Sequence, residues 1–145
     1  MLREVEIELT LPEGEKLNQS IGSILQGALM EKVSPSWAAA MHEQSVRPYS
    51  QYVTVKEGKP IWRLITLTEE AADQILTPLL ACSSLFLKQR QKEIGLSHFQ
   101  MVKEKSFSDI EETYWGSAKR IHHIDMTFLT STSCKTQGNY AIFPK

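Results

Sequence analysis

The segment YSQYVTVKEGKPIWRLIT, residues 49–66, decides the fold of this chain. It contains two runs rich in β-branched and aromatic residues, Tyr49–Val55 and Ile61–Thr66, separated by a polar link with Gly58 near its centre. Runs of this composition favour strands, and glycine accepts the positive φ that a tight turn needs. The segment therefore predicts a β-hairpin.

A strand and two helices are predicted before this hairpin. Within residues 2–9, apolar side chains occupy alternate positions from Val5 onward, a period typical of a strand with one buried face. Over residues 21–33 the apolar side chains instead recur every three or four positions, which is the spacing of an amphipathic helix. Ser34-Pro35 ends that helix, and Ser36 is a suitable N-cap for a short second helix over Trp37–Glu43.

After the hairpin, the pattern predicts one helix and then strands. Thr68 is a suitable N-cap, an acidic first turn follows it, and the helix runs to Leu80. Residues 84–94 and 98–105 are strand candidates, and Gly95 is predicted to form the turn between them. Residues 106–120 are largely polar and are predicted to be a connector.

The predicted order through residue 105 is strand, helix, strand, strand, helix, strand, with one inserted short helix. This is the split βαβ arrangement, so the sequence predicts an α+β, ferredoxin-like domain similar to RNA-recognition modules. One face of such a sheet carries the helices and the other is open to a ligand. Many unrelated functions use this open face, so the fold class alone does not decide the function.

The charge of the chain is small overall but unevenly distributed. The formal net charge is −1. Residues 1–46 hold three cations and seven carboxylates, whereas residues 47–105 hold nine cations and six carboxylates. A basic middle segment is compatible with a surface that faces a polyanion, but lysines that protect strand edges would produce the same pattern.

Several classes of site lack support in the sequence. Cys82 and Cys134 are far apart and have no nearby cysteine partner, which argues against a disulfide framework or a zinc site. We also find no paired carboxylates at metal spacing and no glycine-rich phosphate loop, so neither a metal nor a cofactor is predicted. The apolar runs are short, which predicts a cytoplasmic protein without membrane association.

The histidines are the candidates for chemistry. His122 and His123 are adjacent, so in a strand they would point to opposite faces and could not easily share a metal ion, and His98 has no evident partner. His42 lies near the end of a short helix, a few residues before Arg47. Imidazole transfers protons near neutral pH, and a guanidinium can stabilise charge on a phosphate. The alternative is structural: His42 favours the helix dipole, and Arg47 bridges to Glu43.

Short segments in a fixed order resemble the repeat-processing CRISPR endoribonucleases of the RAMP superfamily. The family has a first helix, then a helix with a histidine followed by glutamate, then a strand that contains Pro-Tyr-Ser. The matching segments here are Ile24–Leu29, Ser36–Glu43, Arg47–Ser50, Phe128–Lys135, Gly138–Tyr140 and Phe143-Pro144.

The resemblance implies metal-independent cleavage of CRISPR repeat RNA, in which a ribose 2′-hydroxyl attacks the adjacent phosphate and leaves a 2′,3′-cyclic phosphate. It assigns His42 as general base or acid, and it places Arg47 near a lysine that supports the phosphate in some members. Met30 stands where some members have a catalytic tyrosine, so Tyr49 is the candidate for that role. The candidate RNA-binding cations are Lys56, Lys59, Arg63, Lys88, Arg90 and Lys135.

Two departures from the family qualify these expectations. Family members have two complete ferredoxin-like domains and a glycine-rich loop, whereas residues 1–105 correspond to the first domain and residues 121–145 to the first strand or hairpin of a second, incomplete one. We therefore expect an N-terminal fragment, with exposed strand edges that could form a homodimer. The alternative functions are a non-catalytic RNA-binding subunit of a CRISPR effector complex and a ferredoxin-like interaction or sensor module.

Overall fold

The computed structural model describes residues 1–18, 20–116, 123–127, 132–136 and 139–143, with the last two ranges described as backbone. The chain divides into two compact units, Met1–Ile110 and Glu111–Lys145. The elements in chain order are β1 (Leu2–Thr10), α1 (Ile21–Met30), α2 (Pro35–Glu43), β2 (Tyr49–Lys56), β3 (Lys59–Thr66), α3 (Glu69–Leu80), β4 (Ser84–Leu87), β5 (Lys92–Lys105), α4 (Phe107–Trp115), β6 (Thr132–Thr136) and β7 (Asn139–Phe143).

The first unit is built on a five-stranded antiparallel sheet with the order β2-β3-β1-β5-β4. Without β4, this is the strand order of a ferredoxin-like domain, with β5 in the place of its last strand. The inserted short helix is α2, and β4 is an additional edge strand that pairs with β5. The predicted α+β, ferredoxin-like fold is confirmed.

The core lies between one face of the sheet and helices α1 and α3. Val5, Ile7 and Leu9 alternate with charged residues along β1 and are all buried, as their spacing predicted. Trp62 and Leu64 from β3 are fully buried on the same face. Helix α1 packs against β2 and α3 packs against β3, so each helix covers part of this apolar face.

The N-cap of α2 differs from the prediction by two residues. Ser34, not Ser36, is the cap: its backbone is extended and its hydroxyl accepts a hydrogen bond from the backbone N–H of Trp37 at 3.4 Å. Pro35 is then the first helical residue, where a missing N–H costs nothing and the fixed φ suits the helix. The predicted Thr68 cap of α3 is confirmed, because its hydroxyl accepts from the N–H of Ala71.

The turn predicted at Gly95 lies elsewhere. The chain turns over residues 88–91, where Gln91 has a φ of 51°, and Gly95 lies inside β5 opposite Thr10. A Cβ atom at Gly95 would lie 3.0 Å from the Cβ of Thr10. The glycine is therefore explained by the close approach of β1 and not by a turn.

The second unit contains an antiparallel hairpin of β6 and β7. The segment predicted to be a polar connector includes helix α4, and residues 123–127 belong to neither a helix nor a strand. The strand that the sequence pattern indicated from residue 121 onward is therefore not formed by residues 123–127. Assignment of residues 121–145 as the start of a second ferredoxin-like domain stays a prediction.

In the part of the chain that the structure describes, no helix is both long and apolar enough to cross a membrane.

Candidate functional site

A groove of about 920 Å³ lies between helix α1 and the edge strand β2. Its position follows from the topology, because α1 packs against a strand that has a sheet neighbour on one side only. The unpaired side of an edge strand offers backbone donors and acceptors to a ligand. The residues that line the groove are Leu17, Asn18, Ile21, Gly22, Ser23, Gln26, Arg47, Tyr49, Ser50, Gln51, Tyr52 and Val53.

Gln51 joins the two walls of this groove. Its Nε2 donates to the backbone carbonyl of Gly22 in α1 at 3.0 Å, and its Oε1 accepts from the indole Nε1 of Trp62 at 2.7 Å. Trp62 is fully buried, so this glutamine satisfies the indole N–H inside the core. The carboxamide thereby fixes the separation of α1 from the sheet.

Tyr49 is a buried member of the groove wall, with its ring 5.6 Å from that of Trp37. Its hydroxyl oxygen accepts a hydrogen bond from Nε2 of Gln26 at 2.6 Å and donates to the sulfur of Met30 at 3.9 Å. Thioether sulfur is a weak acceptor, so the phenolic hydrogen has a weak partner within the described residues. The hydroxyl of Tyr49 thus lies beside Met30, the residue at the position where the resemblance leads us to expect a tyrosine.

His42 and Arg47 lie at the end of α2. His42 is exposed in the last turn, and its side chain forms no hydrogen bond or ion pair with any described residue. Arg47 donates from Nε to the backbone carbonyl of Met41 at 2.9 Å, which satisfies a terminal helix carbonyl, and no Arg47–Glu43 bridge forms. Arg47 and Tyr49 both line the groove, whereas His42 lies on the adjoining helix end and not among the lining residues.

The open face of the sheet carries ion pairs centred on Arg63. Its guanidinium pairs with Glu4 at 2.8 Å and with Glu6, and Lys56 reaches Glu6 at 3.3 Å. Burial raises the pKa of the Glu6 carboxyl, but hydrogen bonds from Arg63 and Lys56 outweigh burial and lower the pKa below its usual value. The Arg63 guanidinium also lies 5.7 Å from the ring centre of Tyr52.

A second cluster on this face involves Glu8. Lys59 lies 3.3 Å from its carboxylate and the imidazole Nδ1 of His98 lies 3.2 Å away, so His98 has the partner that the sequence did not reveal. His98 has a φ of 50° and lies at an irregularity in the pairing of β1 and β5.

The remaining predicted RNA-binding residues are also engaged, as far as the structure describes them. Lys88 pairs with Glu31 at 2.9 Å, and Arg90 pairs with Glu15 and donates to Ser20 at 3.1 Å. Lys135 belongs to β6, which is described as backbone. The structure therefore does not gather the predicted cations into one free patch, and their role in RNA binding stays a prediction.

Sequence reasoning pointed to Arg47 and Tyr49, which both line the groove, but not to Gln26 and Gln51. A signal for Gln51 existed: it shares the inward face of β2 with Tyr49 and Val53, where an amide must be satisfied by partners. Gln26 lies on the partly buried side of an otherwise apolar helix. Neither position forms a recognisable motif, because their partners are distant in sequence.

The fold and this site define a ferredoxin-like α+β domain with a histidine and an arginine beside a groove at the sheet edge. Two proteins from Mycobacterium tuberculosis strains, each described as a CRISPR-associated endoribonuclease Cas6, are 25% identical over 95% of this chain and 44% of their own length. A protein of the same description from Streptococcus thermophilus is 25% identical over 87% of this chain and 51% of its own. These relatives confirm the resemblance to the CRISPR repeat-processing family.

The chain spans about half the length of the curated relatives it matches. A solved structure described as CRISPR associated protein Cas6 aligns with 99% of this chain and 62% of its own, with a TM-score of 0.48 and 12% identity. No family model matches the chain.

Proposed function

We propose that this chain takes part in the endonucleolytic processing of CRISPR repeat RNA. The observation that carries the proposal is the exposed imidazole of His42 beside an anchored arginine. The backbone carbonyl of the preceding residue, Met41, accepts a hydrogen bond from Arg47 and holds it at the groove. An exposed histidine is available to a phosphodiester, and an anchored guanidinium provides positive charge for it. The relatives described as Cas6 endoribonucleases support the same function.

The proposed reaction is a transesterification within the RNA. The 2′-hydroxyl oxygen forms a bond to the adjacent phosphorus and loses its proton to a base, while the bond from phosphorus to the 5′ oxygen breaks and that oxygen receives a proton. The products are a 2′,3′-cyclic phosphate and a 5′-hydroxyl. We assign one of the two proton transfers to His42, the stabilisation of the phosphate to Arg47, and hydrogen-bond donation to Tyr49.

Cleavage of the chain's cognate repeat RNA in the presence of EDTA tests this assignment. His42→Ala is expected to lower the cleavage rate on the order of 10²- to 10⁴-fold, the usual contribution of one general acid or base. His98→Asn is the matched control, because asparagine accepts a positive φ and the residue lies away from the groove.

Full-rate cleavage by His42→Ala would exclude the role of this histidine. RNA bound by the wild type but not cleaved, with His42→Ala binding equally well, would instead identify a non-catalytic RNA-binding subunit. Membership of an effector complex and homodimer formation through strand edges stay predictions. Size-exclusion chromatography with light scattering would test the homodimer.

A further inference from the structure

The described cations on the open sheet face are poorly placed to bind a polyanion. Lys56, Lys59 and Arg63 each pair with a glutamate of β1. A phosphate that approached them would compete with these carboxylates and would also be repelled by them. The open face is therefore close to neutral, even though the segment that supplies its cations is basic.

The groove between α1 and β2 differs from the open face in the side chains that line it. Among the described residues, no carboxylate lines it, and Arg47 is the one charged residue in its wall. The other polar groups are uncharged amides and hydroxyls, including those of Ser23, Gln26 and Ser50. Such a lining suits a planar group with uncharged donors and acceptors, which describes a nucleobase better than a row of phosphates.

Gln26 is an uncharged polar residue of this wall that is held in position and still has hydrogen-bonding capacity. One N–H of its carboxamide donates to Tyr49, while no described residue bonds to its carbonyl oxygen. The carbonyl oxygen and the second N–H remain for a ligand. An amide of this kind can pair with the adjacent amino group and ring nitrogen of adenine, a common arrangement for glutamine in nucleic-acid recognition.

We propose that the groove between α1 and β2 binds the bases of single-stranded RNA and that Gln26 selects adenine there. The proposal rests on the function proposed above in taking RNA as the ligand. It differs in assigning recognition to contacts with base edges in the groove, where Arg47 supplies the positive charge, while the sheet-face cations remain in their ion pairs.

Fluorescence polarisation of labelled ten-nucleotide A, C and U ribo-oligomers with the full chain tests the proposal. The A oligomer is expected to bind most tightly. Gln26→Met keeps a side chain of similar length without hydrogen bonds, and it should weaken binding of the A oligomer on the order of tenfold and remove the preference. Ser23→Trp, at an exposed groove position, should block binding of all three oligomers while the protein remains folded by circular dichroism.

The salt dependence gives an independent readout. Arg47 is the one cation among the described lining residues, so the plot of log affinity against log salt should have a slope of about −0.7 to −1.4, that is, one or two phosphates on a single strand. Lys103→Gln is the matched control and should leave the affinity unchanged, because Lys103 lies outside the groove and pairs with Glu4 of β1 at 3.8 Å. The double variant Lys56→Gln/Lys59→Gln tests the competing assignment of RNA binding to the sheet-face cations.

Three results would overturn the proposal: no binding of any oligomer, equal binding of the A oligomer by Gln26→Met and wild type, or a slope steeper than about −3 that the lysine double variant reduces. The outcome is separate from that of the cleavage test. If His42→Ala abolishes cleavage but Gln26→Met and Ser23→Trp leave binding unchanged, only the catalytic assignment is supported. If those two variants weaken binding but the wild type cleaves no RNA, only the base-binding site is supported.

Discussion

Replacing Gln51 by leucine removes the bridge between α1 and the core while nearly preserving volume. The indole N–H of the fully buried Trp62 would lose its acceptor, whereas the carbonyl of the half-buried Gly22 can turn to water. A buried donor without a partner costs about 1–3 kcal/mol. We therefore expect the free energy of unfolding to fall by about 2 kcal/mol, which corresponds to a Tm lower on the order of 10 °C.

Urea unfolding followed by tryptophan fluorescence and by circular dichroism would measure this change. Gln100→Leu is the matched control, since the side chain of that glutamine is exposed on β5 and bonds to no described residue. Trp62→Phe in the Gln51→Leu background removes the orphaned donor, so the double-mutant cycle should give a coupling of about 1–2 kcal/mol. Additive effects of the two substitutions, or an unchanged midpoint for Gln51→Leu, would refute the reasoning.

Two further predictions concern the sheet and α1. Glu6→Gln should lower the free energy of unfolding by about 2 kcal/mol at pH 7, because Arg63 loses a charged partner. The folded pKa of Glu6 lies below the ordinary 4.5, so its contribution is present above pH 4.5 and is lost as the pH falls through the folded pKa. A wild-type advantage that stayed constant as the pH fell below 4.5 would contradict this. Gly95→Ala should destabilise by about 1–3 kcal/mol through contact with Thr10, and differential scanning calorimetry should show no such loss for Gly27→Ala, where space is open. Equal Tm values for the two glycine variants would argue against the close approach at Gly95.

Most of the first unit could be predicted from local sequence pattern. The hairpin of β2 and β3, the strand β1 and the helices α1 and α3 each have a period and a terminal signal within one short window. One error arose because two nearby residues offered the same signal: Ser34 and Ser36 are both possible N-caps, and Ser36 lies inside α2. At Gly95 the sequence suggested a turn, but the glycine is explained by the close approach of Thr10 in β1.

The site was predictable to a smaller extent. The sequence indicated His42, Arg47 and Tyr49 because they lie within one short segment with recognisable chemistry. Gln26 and Gln51 were missed because their functional meaning depends on partners in other elements, 23 and 11 residues away respectively. No local pattern distinguishes an amide that positions a groove from one exposed to solvent.

The charge of the sheet face depends on strand register, which local composition does not contain. Arg63 and Glu6 are 57 residues apart in sequence and become direct partners only because β3 pairs with β1 in this register. A shift by one residue would turn the Arg63 side chain toward the helices and leave Glu6 without its partner. Because the acidic strand β1 lies between β3 and β5, it neutralises the basic segment that follows it in the chain. A surplus of cations in one segment therefore does not by itself predict a polyanion surface.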